Sequence, residues 1–272
     1  MNCYERFPVA CHGEPLERVP RGSRPLGRRA GFHSPPKKGR QGGRVFPAPV
    51  GRGLPLQIAW ELQECIEMKN FEKEFFAKHD PKILPVLRAG VVGIAGAGGL
   101  GSNAAISLAR VGIGKLIIAD YDRIEMSNLN RQQYFWAQIG KVKIQALLEN
   151  LRKINPFSEY VGHHVRLSEK NIPRIFKTVD VMIEAFDLAG QKEMLLETWI
   201  SHFAAKPIIM ASGLSGFGKN QKLRTRRIGN VYICGDEESE AKEGISPMAP
   251  RVGIVANMQA NLAIELLVKI KK

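Results

Sequence analysis

The residues best suited to chemistry begin at Gly96-Ala-Gly98-Gly99-Leu-Gly101, a glycine loop directly after an apolar run and directly before a helical pattern. In that setting each glycine has a mechanical reason. Gly96 permits a tight turn, Gly98 lets phosphate oxygens approach the backbone, and Gly101 lets the helix and strand pack closely; with Gly99 they form the expected nucleotide-binding set. The free N–H groups at the start of the following helix favour an anion there. Asp120 ends the next strand, where a carboxylate can hold ribose hydroxyls. A glycine turn with no ligand is the bland alternative, and taken alone the loop favours a dinucleotide such as NAD.

The residues downstream argue for more charge than a dinucleotide carries. Asp120-Tyr-Asp-Arg-Ile-Glu-Met-Ser-Asn128-Leu-Asn-Arg131-Gln132 is followed by Gly140-Lys-Val-Lys143. Arg131 offers a planar fork and Lys143 a compact ammonium, a pair suited to the β- and γ-phosphates of a triphosphate. Either could equally be an ordinary solvated cation. Asn128 fits a phosphate contact or a cap that closes a turn. Asp187, in Val181-Met-Ile-Glu184-Ala-Phe-Asp187, stands where a Mg²⁺ ligand beside phosphates is needed, with a helix cap as the alternative.

The elements that must position these residues alternate. Strands are expected at Val91–Ala95, Lys115–Asp120, Tyr160–Val165, Val181–Ala185 and Pro207–Ala211. Helices are expected at 102–111, 141–154, 171–179, 188–204 and over the last 20 residues. Leu223–Arg227 and Asn230–Cys234 resemble two antiparallel edge strands. The fold class is therefore α/β, a Rossmann-like doubly wound, mostly parallel sheet with a small antiparallel edge near the C-terminus.

Composition sets the frame. The chain has 272 residues, 44% of them hydrophobic, and 40 Lys and Arg against 26 Asp and Glu, for a net charge of +14. Residues 1–57 alone contribute +8 and hold nine of the 16 prolines and nine of the 27 glycines, too little apolar surface to offset chain entropy. Residues 1–67 are expected to be a disordered basic leader, translated from a misplaced start or a tail without specific role, with Met68 opening the folded part at 68–272. A nucleic-acid arm is the remaining option, but the charge is segregated in the leader, away from the folded part, so no nucleic-acid partner is expected. The longest apolar run falls short of a membrane span, so no membrane is expected. The four cysteines, Cys3, Cys11, Cys65 and Cys234, form no CxxC pair, which fits a reducing cytoplasm and points to no zinc site.

Taken together, GAGGLG, D-Y-D-x-x-x-x-S-N-L-N-R-Q, G-K-V-K and E-A-F-D resemble the family of ThiF, MoeB and HesA, related to the ubiquitin-activating enzymes, from about Phe71 to the C-terminus. The compact length and Met248-Ala-Pro-Arg251-Val-Gly253 resemble the ThiF branch of thiamine biosynthesis. The resemblance implies an adenylyltransferase. It would use ATP and Mg²⁺ to adenylate the C-terminal glycine carboxylate of a ThiS-type ubiquitin-like sulfur carrier, releasing pyrophosphate, and would act as a homodimer. Carried over by position, Asp120 would contact the ribose, Asn128, Arg131 and Lys143 the phosphates, and Asp187 the magnesium. Arg131, Lys143 and Asp187 form the catalytic set. The carrier carboxylate is already ionised at neutral pH, so no general base is required and catalysis is positioning plus charge neutralisation.

Two departures matter. The larger relatives carry two CxxC pairs for a structural zinc, and this chain has none; they also carry an N-terminal arginine motif, which nothing before Val91 matches well, with Lys82 or Arg88 as candidate substitutes. Cys234, followed by acidic residues, reads as an inert thiol more than a sulfur-transfer group. His163-His164 reads as strand-end packing rather than a ligand pair. Two other functions fit less well: adenylation of a different carrier or a tRNA substrate, and an NAD-dependent oxidoreductase.

Overall fold

The computed structural model describes residues 56–271. The described residues 56–71 belong to one compact unit, and residues 72–272 form a second, separate one. The expected disorder of the leader concerns residues of which 1–55 lie outside the described part. A helix, α1 (Leu56–Phe75), begins within the span assigned to the leader, and Met68 lies in its interior rather than at its start. Its stretch Leu56-Gln-Ile-Ala-Trp-Glu-Leu-Gln-Glu has no glycine or proline to stop a helix.

The second unit is built on a seven-stranded sheet in the order β3-β2-β1-β4-β5-β7-β6. The strands are β1 (Val91–Ala95), β2 (Lys115–Asp120), β3 (Glu159–His164), β4 (Val181–Glu184), β5 (Ile208–Ala211), β6 (Arg224–Ile228) and β7 (Val231–Gly235). Every pairing is parallel except β6 with β7. The helices are α2 (Leu84–Arg88), α3 (Gly99–Arg110), α4 (Lys143–Ile154), α5 (Ile172–Ile175), α6 (Ala189–Phe203) and α7 (Ala249–Ile270).

Two expectations change in detail. β7 is not an edge strand: Ile208 to Ala211 pair in parallel with Val231 to Cys234, so β7 extends the sheet and β6 forms the edge on that side, opposite β3. The helix expected over 171–179 stops after one turn, because Phe176 leaves the helical conformation and is fully buried.

The strands separate two apolar layers by alternation, as period-2 side chains on a doubly covered sheet must. Leu116 and Ile118 of β2 join Val92, Ile94, Leu108, Val255 and Leu267 on the side of α3, α4 and α7. Ile117 and Ala119 face the other way, to Phe176, Met182, Leu195 and Trp199 beside α5 and α6. α7 spans 22 residues at a mean hydropathy of 1.2, enough by length and composition to cross a membrane. Its Val252, Val255, Ala256, Ala263 and Leu267 are instead spent on the core against the sheet and α3.

The strand order reverses about β1, whose neighbours are β2 and β4. In open sheets of this kind the crevice at that reversal, beyond the carboxyl ends of the strands, is where ligands bind.

Candidate active site

A cavity of about 1170 Å³ lies at that reversal, lined by the glycine loop after β1, the end of β2 and the loops after β4 and β5. Gly96, Gly98, Gly99, Asp120, Arg131, Lys143 and Asp187 all line it, so residues up to 91 positions apart in sequence converge on one space.

The glycines divide their work. Gly96 has φ +106°, and a Cβ there would lie 2.7 Å from the Ala185 carbonyl oxygen; at Gly101 a Cβ would lie 1.9 Å from the Gly96 oxygen. These two positions exclude side chains because β1, β4 and α3 crowd them. Gly98 is different, since a Cβ there would meet nothing nearer than Gln132 Nε2 at 3.8 Å. That open face is the one available to a ligand.

Neutral hydrogen bonds hold the loop in place. Ser102 Oγ donates to the Gly98 carbonyl at 2.7 Å and accepts the Gln133 N–H at 3.1 Å. Asn103 Nδ2 donates to the Gly99 and Arg131 carbonyls at 2.7 and 3.1 Å, and Tyr134 donates its hydroxyl to the Ala97 carbonyl at 2.7 Å. Burial pushes the Tyr134 phenol upward, so it remains a neutral donor.

Asp120 accepts the Ala97 N–H on one oxygen and the Asp122 N–H on the other, both at 2.7 Å. Burial raises its pKa; the two N–H groups, Ala97 ahead of Asp122, and then Lys143 pull the other way. The carboxylate is thus fixed in orientation and retains lone pairs for a hydroxyl donor.

Lys143 opens α4 and is 6% exposed. Its Nζ sits 2.8 Å from Asp122 Oδ2, and its backbone N–H donates to the Asp122 carbonyl at 2.9 Å. The segments carrying the two residues are bridged at Arg123 and Val142, which sets the lysine against the end of β2. Asp122, part of the D-Y-D element, was not expected as the lysine's counter-ion.

Arg131 uses Nη1 to donate to the Ser127 carbonyl at 3.1 Å and Asn130 Oδ1 at 2.8 Å, leaving Nε and Nη2 without partners among the described residues. Asn128 does not line the cavity. Its Oδ1 accepts the Glu125 N–H at 3.1 Å, so the carboxamide closes the turn before Arg131, the capping alternative of the sequence reading. Asp187 is exposed on the cavity wall and has no hydrogen-bond or ion-pair partner among the described residues. One free carboxylate beside a phosphate cradle suits Mg²⁺, which is held by one or two carboxylates, phosphate oxygens and water. No group of three or more His, Cys, Asp or Glu is placed to hold a metal among the described residues.

The other flagged residues lie elsewhere. Arg88 is bound to Glu72, donates to the Phe157 carbonyl at 2.7 Å and lies 5.6 Å from the Phe76 ring centre. Neither it nor Lys82 lines the cavity. Cys234 is fully buried, and burial raises its pKa. His164 faces the Tyr121 carbonyl at 3.0 Å.

Two charged pairs escaped the sequence reading. Glu184, fully buried on β4, takes Lys192 Nζ at 2.8 and 2.9 Å and the Phe186 N–H at 2.6 Å, and Lys192 also donates to the Ala211 carbonyl at 3.1 Å. Burial raises the Glu184 pKa, with Lys192 opposing it. A glutamate inside the apolar run Val181-Met-Ile-Glu184 was the available signal, since a buried carboxylate requires a partner. The second pair, Asp236 and Arg251 at 2.5 Å, is 1% and 2% exposed. Burial pushes Asp236 up, but hydrogen bonds from the Ser239 hydroxyl and the N–H groups of Ser239 and Glu238, with the Arg251 charge, outweigh it and leave the pKa at about 2.

The chain is similar to known proteins. An adenylyltransferase and sulfurtransferase uba4 from Aspergillus terreus is 37% identical over 195 residues, covering 66% of this chain and 40% of the relative. One from Emericella nidulans is 31% identical over 195 residues, with the same coverage. The chain therefore spans about two fifths of the length of these curated relatives. Among solved structures, E. coli tRNA N6-threonylcarbamoyladenosine dehydratase, TcdA, in complex with ATP superposes with a TM-score of 0.66 at 19% identity, over 73% of this chain and 93% of that one. E. coli MccB with ATP gives 0.54 at 21% identity, over 69% and 59%. These two share the fold. The ThiF family model matches residues 73–272, the whole stretch that builds the sheet and the cavity, and the chain belongs to the ThiF family.

Proposed function

We propose that the protein uses ATP and Mg²⁺ to adenylate the C-terminal glycine carboxylate of a ubiquitin-like sulfur carrier of the ThiS type, releasing pyrophosphate. One observation carries this reading. The phosphate cradle at Gly98 opens into a trough over β5, β7 and β6, lined by Met210, Ile233, Val231 and Ile228 with Leu196 and Ile200 of α6. A nucleotide occupies the cradle end, and an extended, side-chain-poor peptide ending in a carboxylate fits the trough. The uba4 relatives, whose names include adenylyltransferase, support the same class of reaction.

Each residue then has a task. Asp120 accepts a ribose hydroxyl, the Gly98 backbone and the start of α3 receive phosphoryl oxygens, and Arg131 and Lys143 balance the charge of the leaving pyrophosphate. Lys143 exchanges Asp122 for phosphate as its partner. Magnesium, when bound with the nucleotide, supplies further neutralisation of phosphate charge, and Asp187 is the residue that would hold it. No side chain need remove a proton from the attacking carboxylate.

Homodimerisation belongs to the same reading. Met126, Phe135 and Trp136, at 61%, 65% and 71% exposure, leave apolar surface beside the site that a second copy would cover. The relatives' names, adenylyltransferase and sulfurtransferase, specify no acceptor, and adenylation of a different carrier or a tRNA substrate is the alternative reading. ATP–pyrophosphate exchange against a panel of purified carriers and tRNA separates these: exchange with a ThiS-type carrier supports the reading, and exchange only with another acceptor or none removes it.

A further inference from the structure

Among the described residues, Gln132 is the one whose side chain is buried on the cavity wall with an atom left unpaired. It is 8% exposed, and its Oε1 is inaccessible and has no hydrogen-bond partner. The main chain around it is fixed: its N–H donates to the Asn128 carbonyl at 2.9 Å, and Asn103, Ser102 and Tyr134 tie residues 131, 133 and 134 to α3 and the glycine loop. Only the carboxamide has no assigned partner. Its Nε2 lies 3.8 Å from the position a Cβ would take on Gly98, the glycine whose face is open. A carboxamide held over a phosphate cradle, with its polar atoms unused by the protein, has the form of a group waiting for a substrate atom.

We propose that Gln132 is a catalytic residue that donates from Nε2 to a nonbridging oxygen of the α-phosphoryl group. This rests on the adenylation reading above. The choice of phosphoryl follows from the neighbouring contacts. Asp120 binds the Ala97 N–H, one residue before Gly98, so a ribose held by Asp120 places its 5′ phosphoryl over Gly98, with the β- and γ-groups continuing toward Arg131 and Lys143. Phosphoryl oxygens are acceptors only, which selects the amide donor for the cavity side. In the reaction a carrier carboxylate oxygen forms a bond to the α-phosphorus, the bond from that phosphorus to the bridging oxygen of pyrophosphate breaks, and the electron pair leaves on pyrophosphate. Charge builds on the nonbridging oxygens as the phosphorus becomes five-coordinate, and a fixed donor there acts where the charge develops.

The test uses Gln132→Met, close in shape and without polar atoms, and Gln132→Asn, which keeps the amide but withdraws it by one methylene. In the full-length protein with a carrier that supports exchange, Gln132→Met should lower the exchange rate by about 10² to 10³. Its melting temperature should stay level or rise, because a buried unpaired oxygen is removed, whereas a structural glutamine would lower it on removal. Gln132→Asn should fall between the two. A carrier-free reading separates this claim from the adenylation claim: the ³¹P resonance of the α-phosphorus of bound ATP should shift in Gln132→Met, with β and γ unmoved. An unmoved α resonance with ATP bound, or an exchange rate within threefold of wild type, overturns the role of Gln132. Failure of wild-type exchange with every carrier, beside a moved α resonance, overturns the acceptor reading and leaves the contact standing.

Discussion

The two ends of the cavity are held by different forces. Around the glycine loop the fastening is short, mostly neutral and directed at backbone: Ser102 to Gly98, Asn103 to Gly99 and Arg131, Tyr134 to Ala97, with the Asp120 carboxylate on the Ala97 N–H as the charged member. At the far end the loops after β5 and β7 are fastened by charge. Arg251 joins Asp236 and the Gly218 carbonyl, Arg226 grips Glu237 at 2.5 Å, and Lys222 meets Glu238 at 2.7 Å. Neutral bonds of this kind are indifferent to salt and to pH near neutrality, whereas exposed ion pairs are screened. At the glycine-loop end, charge enters through the Asp120 carboxylate on the Ala97 N–H and the Lys143–Asp122 pair, beside a larger set of neutral bonds that salt leaves alone. At the far end, salt can loosen the exposed Arg226–Glu237 and Lys222–Glu238 pairs, whereas the buried Arg251–Asp236 pair is shielded from it.

The contrast can be broken most forcefully at Arg251. Arg251→Ala leaves Asp236 as a buried charge without its partner, and breaking such a pair costs about 3–5 kcal/mol. Denaturant unfolding should show a loss of that order, and Arg251→Lys, which keeps a charge opposite Asp236, should lose less. If Arg251→Ala unfolds like the wild type, charge does not fasten this end.

Lys143→Ala is next, and it acts on chemistry rather than on folding. Loss of one preorganised charge contact at the reacting centre costs roughly 3–4 kcal/mol of barrier, about 10² to 10³ in rate, so exchange should fall further than ATP affinity. Lys143→Arg should keep partial activity, since the charge remains and the compact geometry does not. A normal rate in a folded Lys143→Ala variant would return the lysine to the role of Asp122's counter-ion and move the phosphate assignment to Arg131.

Acid separates the ends by a smaller amount. Asp236 titrates at about 2, below its ordinary value, so its contribution to stability is present above pH 4 and disappears as the pH falls toward 2. That contribution is of the order of 2 kcal/mol. The Asp236→Asn variant should flatten the stability curve across this window, and an unchanged curve would refute the assignment.

The smallest effect is expected at Glu237. Its partners Arg224 and Arg226 are 61% and 46% exposed, so Glu237→Gln should shift the denaturant midpoint least of these variants, and less still in high salt; a shift as large as that of Arg251→Ala would contradict this.

The phosphate end was also the end legible in the sequence. Val91–Ala95 and Lys115–Asp120 are bounded as expected because a glycine cluster and an aspartate close unbroken apolar runs. Their neighbours Gly96 and Asp120 inherit those positions. The far end was less legible, because its order depends on contacts between distant segments. Nothing local to Asn230–Cys234 says that it pairs in parallel with β5, and nothing local to Arg251 names Asp236 as its partner. Asn128 shows a third situation: the residue type was right for a phosphate or for a turn, and only the Glu125 N–H at 3.1 Å distinguishes them.

The most direct test of the adenylation reading is mass spectrometry of a purified ThiS-type carrier after incubation with the protein and MgATP. The account predicts a carrier heavier by one adenylyl group, formed by the wild type, strongly reduced with Lys143→Ala and absent when the carrier lacks its terminal glycine. An unmodified carrier in the presence of ATP-bound, folded protein, or modification that survives loss of the terminal glycine, would contradict it.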